Sequence, residues 1–174
     1  PDALAYAEKI AIAARSGDRD KPAIRAELER IPGAPVIVLL GKILPDLPRP
    51  DDVGFIHRDV REWFADCCLT AHRLGVNLVI KPHPTEFASL ISLYVNEDFL
   101  SFLRDVPPEA HPIIIDRRHL PITDLPGVAD GVLLWGGNSL IELGLLGIPT
   151  MVCGRYGASD CPVGFPTSST REAI

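Results

Sequence analysis

The chain has 174 residues, of which 47% are hydrophobic and 23% are charged, and its formal net charge at pH 7 is -6. This length and apolar content suit one folded domain and argue against a disordered chain. The acidic balance, with no basic run longer than a pair, disfavours a surface for nucleic acid or anionic membrane. No apolar run approaches the length of a transmembrane segment.

Two helices are predicted before the first strand. Residues 2–15 are rich in alanine with a helical period, and residues 21–31 form a more charged helix. We assign residues 1–33 to an N-terminal helical segment and residues 34–174 to an α/β domain. The first helix has more apolar surface than a solvated helix needs, so we expect it to pack on another surface.

Strands and helices alternate through the rest of the chain. Buried strands are predicted at residues 35–40, 77–81, 112–115, 131–135 and 150–153. Helical segments are predicted at residues 59–74, 86–94, 96–106 and 121–125 and after residue 138, and residues 154–170 are predicted to be loop. This alternation predicts an α/β fold, a Rossmann-like parallel sheet with helices on both faces. The absence of G-x-G-x-x-G after the first strand argues against an ordinary NAD-binding domain.

The four cysteines give no sign of a metal or redox site. Cys67 and Cys68 are adjacent in a predicted helix, and neither Cys153 nor Cys161 has C-x-x-C spacing to another cysteine. Reduced, mostly buried thiols in a cytoplasmic protein are the simplest explanation, and we predict no bound metal and no cofactor.

The segment WGGNSLIE predicts a tight turn between a strand and a helix. Gly136 and Gly137 permit a turn that side chains would block, and Asn138 or Ser139 can cap the helix. Backbone N–H groups at such a turn are able to bind a phosphate. A purely structural alternative is a capping box between Ser139 and Glu142. Glu142 could equally accept hydrogen bonds from a ribose, and both interpretations remain open.

The helix after this turn has clear packing and stop signals. We expect four residues to cover its packing side: Leu140, Ile141, Leu143 and Leu145. Gly147 follows the predicted end, where a left-handed residue is favoured, and Pro149 prevents continuation.

The segment Lys81-Pro82-His83-Pro84 ends the second predicted strand. The two prolines keep the backbone extended and place His83 at the carboxyl end of a parallel strand. Its imidazole could donate to a phosphate oxygen, and Lys81 could assist or reach solvent. The other four histidines have no spacing that indicates a metal site: His57, His72, His111 and His119. No Ser-His-Asp arrangement or carboxylate pair is convincing, so the catalytic residue is unknown.

Two motifs together resemble the capsule polysaccharide biosynthesis glycosyltransferases, which include bacterial Kdo transferases and, more distantly, polysialyltransferases and CDP-glycerol glycerophosphotransferases. The motifs are LVIKPHP and, later in the chain, ADGVLLWGGNSLIELGLLGIPTMVCG. The matching residues are His83-Pro84, Asn138-Ser139 with Glu142, and Gly147-Ile148-Pro149. The similarity extends over residues 35–154.

The resemblance implies one half of a GT-B architecture, in which two Rossmann-like halves face each other across a cleft. It implies that this is the C-terminal, donor-binding half, with His83 and Ser139 on the donor phosphate and Glu142 on the ribose or base. The donor would be CMP- or CDP-linked and would need no metal. The acceptor-binding half, with its usual acidic base, is not in this sequence, so we expect a fragment that is inert alone. The whole enzyme would be cytoplasmic or peripheral at the inner membrane.

Two other functions remain open. One is a non-catalytic α/β module that binds a protein partner through its N-terminal helix and the surface between the halves. The other is a domain like a nucleotide-sugar 2-epimerase, which should have more acidic residues in its cleft. A cleft face without its partner half would also favour self-association.

Overall fold

The computed structural model describes residues 19–42, 57–84, 99–115, 120–156 and 164–166, together with a few single residues and short pieces near the two ends. Within these ranges the strands are β1 (Val36–Leu40), β2 (Asn77–Lys81), β3 (Ile113–Ile114), β4 (Gly131–Gly136), β5 (Thr150–Tyr156) and β6 (Phe165–Pro166). The α-helices described are α1 (Lys21–Glu27), α2 (Val60–Leu74) and α3 (Ser139–Leu145). Short 3-10 helices cover Phe99–Asp105, Pro108–Ala110 and Ile122–Asp124.

The strands form one sheet in the order β3-β2-β1-β4-β5-β6, and every neighbouring pair is parallel. β1 and β2 are buried along their whole length, as expected for apolar runs covered on both faces. The chain leaves β1 toward β2 and β3 on one side and returns to β4 on the other. The topological switch point therefore lies between β1 and β4, where open α/β sheets bind ligands beyond the carboxyl ends of their strands.

Helices cover both faces of the sheet, and each face has its own apolar layer. On one face α2 packs Trp63 and Phe64 against Phe99 and Trp135, with the ring centroids of Trp63 and Trp135 5.4 Å apart. On the other face Leu140 and Leu143 of α3 join the residues of β1 and β4 that point to that side. The prediction of a Rossmann-like parallel sheet with helices on both faces is confirmed.

The bounds of α2 follow from local capping chemistry. The side chain of Asp59 accepts a hydrogen bond of 2.9 Å from the Glu62 N–H, which satisfies a free donor of the first turn. Gly75 ends the helix with a φ of 68°, a left-handed conformation that glycine adopts without strain. These signals are why the sequence located this helix correctly.

Helix α1 is fixed to the start of the sheet by one carboxylate. Asp130, which immediately precedes β4, accepts from two guanidinium nitrogens of Arg25 at 2.7 and 3.1 Å. The same side chain accepts from the Val36 N–H at 2.8 Å. The predicted helix at residues 2–15 lies largely outside the described residues, and the proposed boundary after residue 33 stays a prediction.

The structure corrects three local expectations. The segment predicted to be loop after residue 154 contains the end of β5 and the short strand β6. The third strand has two residues rather than four. Ile141 and Leu145 are 45% and 50% exposed, so they do not belong to the packing side of α3. The predicted helix at residues 86–94 lies outside the described residues. None of the helices that the structure describes has both the length and the apolar character to span a bilayer.

Candidate functional site

The predicted site residues lie at one edge of the sheet, at or just beyond the carboxyl ends of β2 and β4, the two strands that flank β1. Leu40, the last residue of β1, is in register with Lys81 of β2 and with Leu134 of β4. The ends of β2 and β4 are therefore second neighbours, about 10 Å apart across the intervening strand. The segment after β2 carries His83 and the turn after β4 carries Gly137, so both motifs open at the same edge.

The individual predicted residues differ in their access to solvent. Lys81 and Gly136 are buried, whereas Pro84 and Asn138 are exposed. The remaining four are half-buried, which leaves them accessible to a ligand: His83, Gly137, Ser139 and Glu142. The structure thus groups the residues into two sets, one on each side of the end of β1.

Lys81 lies on the face of the sheet that carries α3. Residues in register on parallel strands point to the same side, and the register partners Leu40 and Leu134 belong to the apolar layer beneath α3. Lys81 is only 5% exposed, and burial lowers the pKa of its ammonium group. Lys81 is thus a partly desolvated cation near the edge, rather than a side chain extending freely into solvent.

Lys42 is a further candidate residue that neither sequence motif contains. It lies two residues beyond the end of β1, beside the switch point, and is 8% exposed. A lysine that is this buried is uncommon for its residue type. Its position directly after the first predicted strand was a usable signal, but its importance depends on β1 lying in the middle of the sheet.

Gly41 allows the ends of β1 and β2 to approach closely. Its N–H donates a 2.8 Å hydrogen bond to the Lys81 carbonyl oxygen. A Cβ at this position would lie 3.1 Å from both the His83 nitrogen and the Pro82 Cα, which is tighter than ordinary packing. Because Gly41 has no side chain, the end of β1 can lie close to the Lys81–His83 segment, and Lys42 follows directly.

The turn after β4 differs from the predicted capping box. Helix α3 begins at Ser139, with Asn138 in the capping position, and the Asn138 side chain makes no capping hydrogen bond. Ser139 is the first helical residue rather than the cap, so the capping box that it would form with Glu142 is wrong. Gly137 has a φ of 128°, which side-chain-bearing residues rarely adopt. Because α3 has only seven residues, an anion site cannot depend on its N-terminus alone.

Two of the other histidines have structural partners. The His57 Nε2 atom lies 3.0 Å from the Asp66 carboxylate, and the His111 Nε2 atom lies 2.9 Å from the Val106 carbonyl oxygen. His72 is exposed on α2, and His119 lies outside the described residues. In the described part of the chain, no group of histidine, cysteine and acidic residues is arranged to hold a metal ion.

The described cysteines are free, buried and poorly reactive. Burial raises the pKa of Cys68 and of Cys153 to about 12, and it raises the pKa of Cys67 well above its ordinary value. A thiol with so high a pKa stays protonated at neutral pH and is a poor nucleophile. Cys161 lies outside the described residues.

A cavity of about 200 Å³ opens at the other edge of the sheet, where the strands begin. It lies between the C-terminal end of α2 and the starts of β2 and β3. Three of its polar lining residues form hydrogen bonds with the backbone. Asn77 bonds to Ile31, the guanidinium of Arg30 donates to the His111 carbonyl oxygen, and the His111 ring contacts a carbonyl as described above. These groups hold the chain together, so we favour the carboxyl edge as the candidate site.

The comparisons with known proteins found no matching protein family and no matching curated protein. Similar solved structures include the wall teichoic acid polymerase TagF, at 17% identity and a TM-score of 0.41, covering 76% of this chain and 28% of that one. A point variant of TagF soaked with CDPG for 30 minutes is similar at 16% identity and a TM-score of 0.42, covering 84% of this chain and 30% of that one. This chain spans less than a third of those proteins. The fold assignment above rests on the sheet itself rather than on this likeness.

Proposed function

We propose that this chain is the donor-nucleotide-binding half of a GT-B glycosyltransferase that makes a bacterial surface polysaccharide from a CMP- or CDP-linked donor. One observation carries the proposal: the K-P-H-P and G-G-N-S motifs follow the two strands on either side of β1, at the same edge of the sheet. That edge is where nucleotide ligands of Rossmann-like sheets bind. In this proposal residues 34–174 are the donor domain, residues 1–33 are a helical segment, and the enzyme works in the cytoplasm or at the inner membrane surface.

The proposed chemistry is displacement of the nucleotide from the anomeric carbon of the donor sugar. The bond from that carbon to the phosphate oxygen breaks, and its electron pair leaves with the phosphate. The acceptor hydroxyl forms the new bond and gives its proton to a base on the acceptor-binding half. Charge that develops on the leaving phosphate is stabilised by groups already positioned around it, which is the largest catalytic effect in many enzymes.

The residues of this half have separate roles in the proposal. The imidazole of His83 donates to a phosphate oxygen, and Lys81 supplies positive charge. Ser139 donates its hydroxyl to the phosphate from the first turn of α3, and Glu142, one turn further along, accepts from the ribose. Gly137 keeps the turn free of a side chain, so the phosphate can approach the backbone. Gly136, Asn138 and Pro84 shape the two segments on either side.

Titration calorimetry of the chain with CMP, CDP and UDP tests this proposal. We expect a cytidine nucleotide to bind and His83→Ala to weaken that binding roughly tenfold or more, since a hydrogen bond to a charged group is lost. His72→Ala is the matched control, because His72 is exposed on α2, and it should leave affinity unchanged. Backbone NMR shifts on binding should cluster at residues 81–84 and 136–142. Binding of none of the three nucleotides, or equal affinity of the two variants, would refute the assignment.

The exposed side of α3 favours a second candidate, a protein-interaction module. Ile141 and Leu145 are one turn apart and about half exposed, so together they form a small apolar surface on α3. In this alternative the surface pairs with a second copy of the chain, and no nucleotide binds. Light scattering during size-exclusion chromatography should then give a dimer that Ile141→Ser with Leu145→Ser dissociates. A clean monomer at high concentration would exclude this alternative.

A further inference from the structure

The cavity between α2 and the starts of β2 and β3 is large enough for a small apolar group. Its volume is about 200 Å³, and a cavity of roughly 150 Å³ already holds a benzene-sized molecule. Four buried residues form its apolar side: Cys68, Ala71, Leu78 and Ala110. Burial raises the pKa of the Cys68 thiol to about 12, so this side of the cavity is uncharged at neutral pH.

Hydrogen bonds hold the rim of the cavity in place. The buried amide of Asn77 donates to the Ile31 carbonyl oxygen at 2.9 Å and accepts from the Ile31 N–H at 2.8 Å. The Ile31 side chain, 46% exposed, is thereby kept at the opening. On the same rim the Arg30 guanidinium donates to the carbonyl oxygens of His111 and Pro112 at 2.7 and 3.3 Å. The cavity is therefore formed without a ligand, as small-molecule sites usually are.

Two opposite charges line this cavity without pairing with each other. In the part of the chain that the structure describes, Arg30 bonds only to carbonyl oxygens, and Glu109 has no ion-pair partner. A guanidinium has five N–H donors, so donors of Arg30 stay available to a ligand. The His111 Nε2 atom lies 2.9 Å from the Val106 carbonyl oxygen and must carry the hydrogen there. In the neutral ring this leaves Nδ1 as an acceptor beside the Glu109 carboxylate.

We propose that this cavity binds a small zwitterion with an apolar side chain, which is the chemistry of a free aliphatic α-amino acid. The ligand carboxylate accepts from Arg30, its ammonium group donates to Glu109 and to the His111 Nδ1 atom, and its side chain fills the apolar space. A simple carboxylate would be repelled by Glu109, and a simple amine would be repelled by Arg30. Only a ligand with both charges matches both residues. This site lies at the other edge of the sheet from the nucleotide site and does not depend on the proposed function.

NMR titration of the unmodified chain with leucine and three analogues tests each contact. Glycine keeps both charges without the side chain, isocaproate lacks the ammonium group, and isoamylamine lacks the carboxylate. We expect leucine to bind with a roughly millimolar Kd and to shift the amide signals of Ala71, Asn77 and Ala110. Each analogue with one charge should bind roughly two- to fivefold more weakly, since Arg30 and Glu109 are exposed and exposed ion pairs contribute little. Shifts elsewhere only, no shifts at all, or equal affinity for glycine would overturn the proposal.

The variants Arg30→Met and Glu109→Gln then assign the two charges. We expect Arg30→Met to bind leucine and isoamylamine with nearly equal affinity, and Glu109→Gln to do the same for leucine and isocaproate. Arg73→Met is the control, because Arg73 is exposed on α2 outside the cavity lining, and it should leave leucine affinity unchanged. Thermal melts establish that each variant is folded. Glu109→Gln removes no contact within the described residues, so its result stands even if Arg30→Met unfolds. A folded variant that keeps the affinity ratio of the unmodified chain would overturn the proposal.

Discussion

Asp130 makes two kinds of interaction that substitutions can separate. Its carboxylate accepts a hydrogen bond from the N–H of Val36, the first residue of the central strand. The same carboxylate forms an ion pair with Arg25 of α1. The geometry predicts that the backbone hydrogen bond contributes more to stability than the ion pair does. Asp130→Asn keeps an oxygen acceptor for Val36 but removes the charge, whereas Asp130→Ala removes both.

The magnitudes follow from the burial of each partner. The side chain of Asp130 is 45% exposed, so the ion pair with Arg25 contributes only about 0–1 kcal/mol. Val36 is fully buried, and a buried N–H without an acceptor costs about 1–3 kcal/mol. We therefore expect Asp130→Ala to lower the free energy of unfolding by about 1–4 kcal/mol, the sum of both effects. Asp130→Asn and Arg25→Met should each lower it by about 1 kcal/mol or less.

Urea unfolding of the three variants measures these differences as shifts of the midpoint at constant slope. The hydrogen bond from Arg25 is the main cause that lowers the pKa of Asp130 in the folded state. The stabilisation by this carboxylate is therefore complete above its unfolded pKa, about 3.9, and is lost as the pH falls through the lower folded-state value. The gap between wild type and Asp130→Asn should narrow over that acidic range. Equal losses in Asp130→Asn and Asp130→Ala at neutral pH would refute the dominance of the backbone hydrogen bond.

Four further substitutions test the packing around the sheet and the approach of the strand ends at the candidate site. Gly154→Ala should destabilise by about 1–3 kcal/mol or more in thermal melts, because a Cβ there meets the Trp135 ring at 2.8 Å; an unchanged midpoint would contradict this. Leu143→Ala should cost about 2–5 kcal/mol in urea unfolding, whereas Leu145→Ala, half exposed on the same helix, should cost about 1 kcal/mol or less; similar costs would mean that both side chains pack. Gly41→Ala should weaken CDP binding in calorimetry while the chain stays folded, since the strand ends must separate by a few tenths of an ångström.

The central strands and α2 could be predicted because their signals are local. β1 and β2 are short, continuously apolar or β-prone runs, and α2 has an acidic cap and a terminal glycine. β6 could not be predicted for the opposite reason. It has two residues, one of them a proline, and it exists only by pairing with β5 across a segment that looks like loop. The outer face of α3 was also missed, because apolar residues around a helix do not reveal which of them are covered.

The two motifs of the candidate site can be recognised in the sequence, whereas Lys42 cannot. The K-P-H-P segment identifies itself by two prolines and a strand end, and the G-G turn identifies itself by its glycines. Lys42 has no such local mark, because its importance comes from the strand order. If β1 were the outermost strand of the sheet, the same Gly41-Lys42 pair would lie away from the turn after β4. Strand order is set by contacts between distant parts of the chain, which a pattern read along the sequence does not contain.

In the proposed function, stabilising contacts lie at the amino-terminal edge of the sheet and the binding residues lie at its carboxyl edge. At the amino-terminal edge, Asp130, Asn77 and Arg30 all bond to backbone groups, which fixes where the strands begin. A register set at that edge also determines where Lys42 and His83 lie at the carboxyl edge. Asp130→Asn should accordingly lower stability slightly and leave nucleotide affinity unchanged, whereas His83→Ala should lower nucleotide affinity. If both variants changed both quantities, the edges would act as one cooperative unit, and the binding residues would also be structural ones.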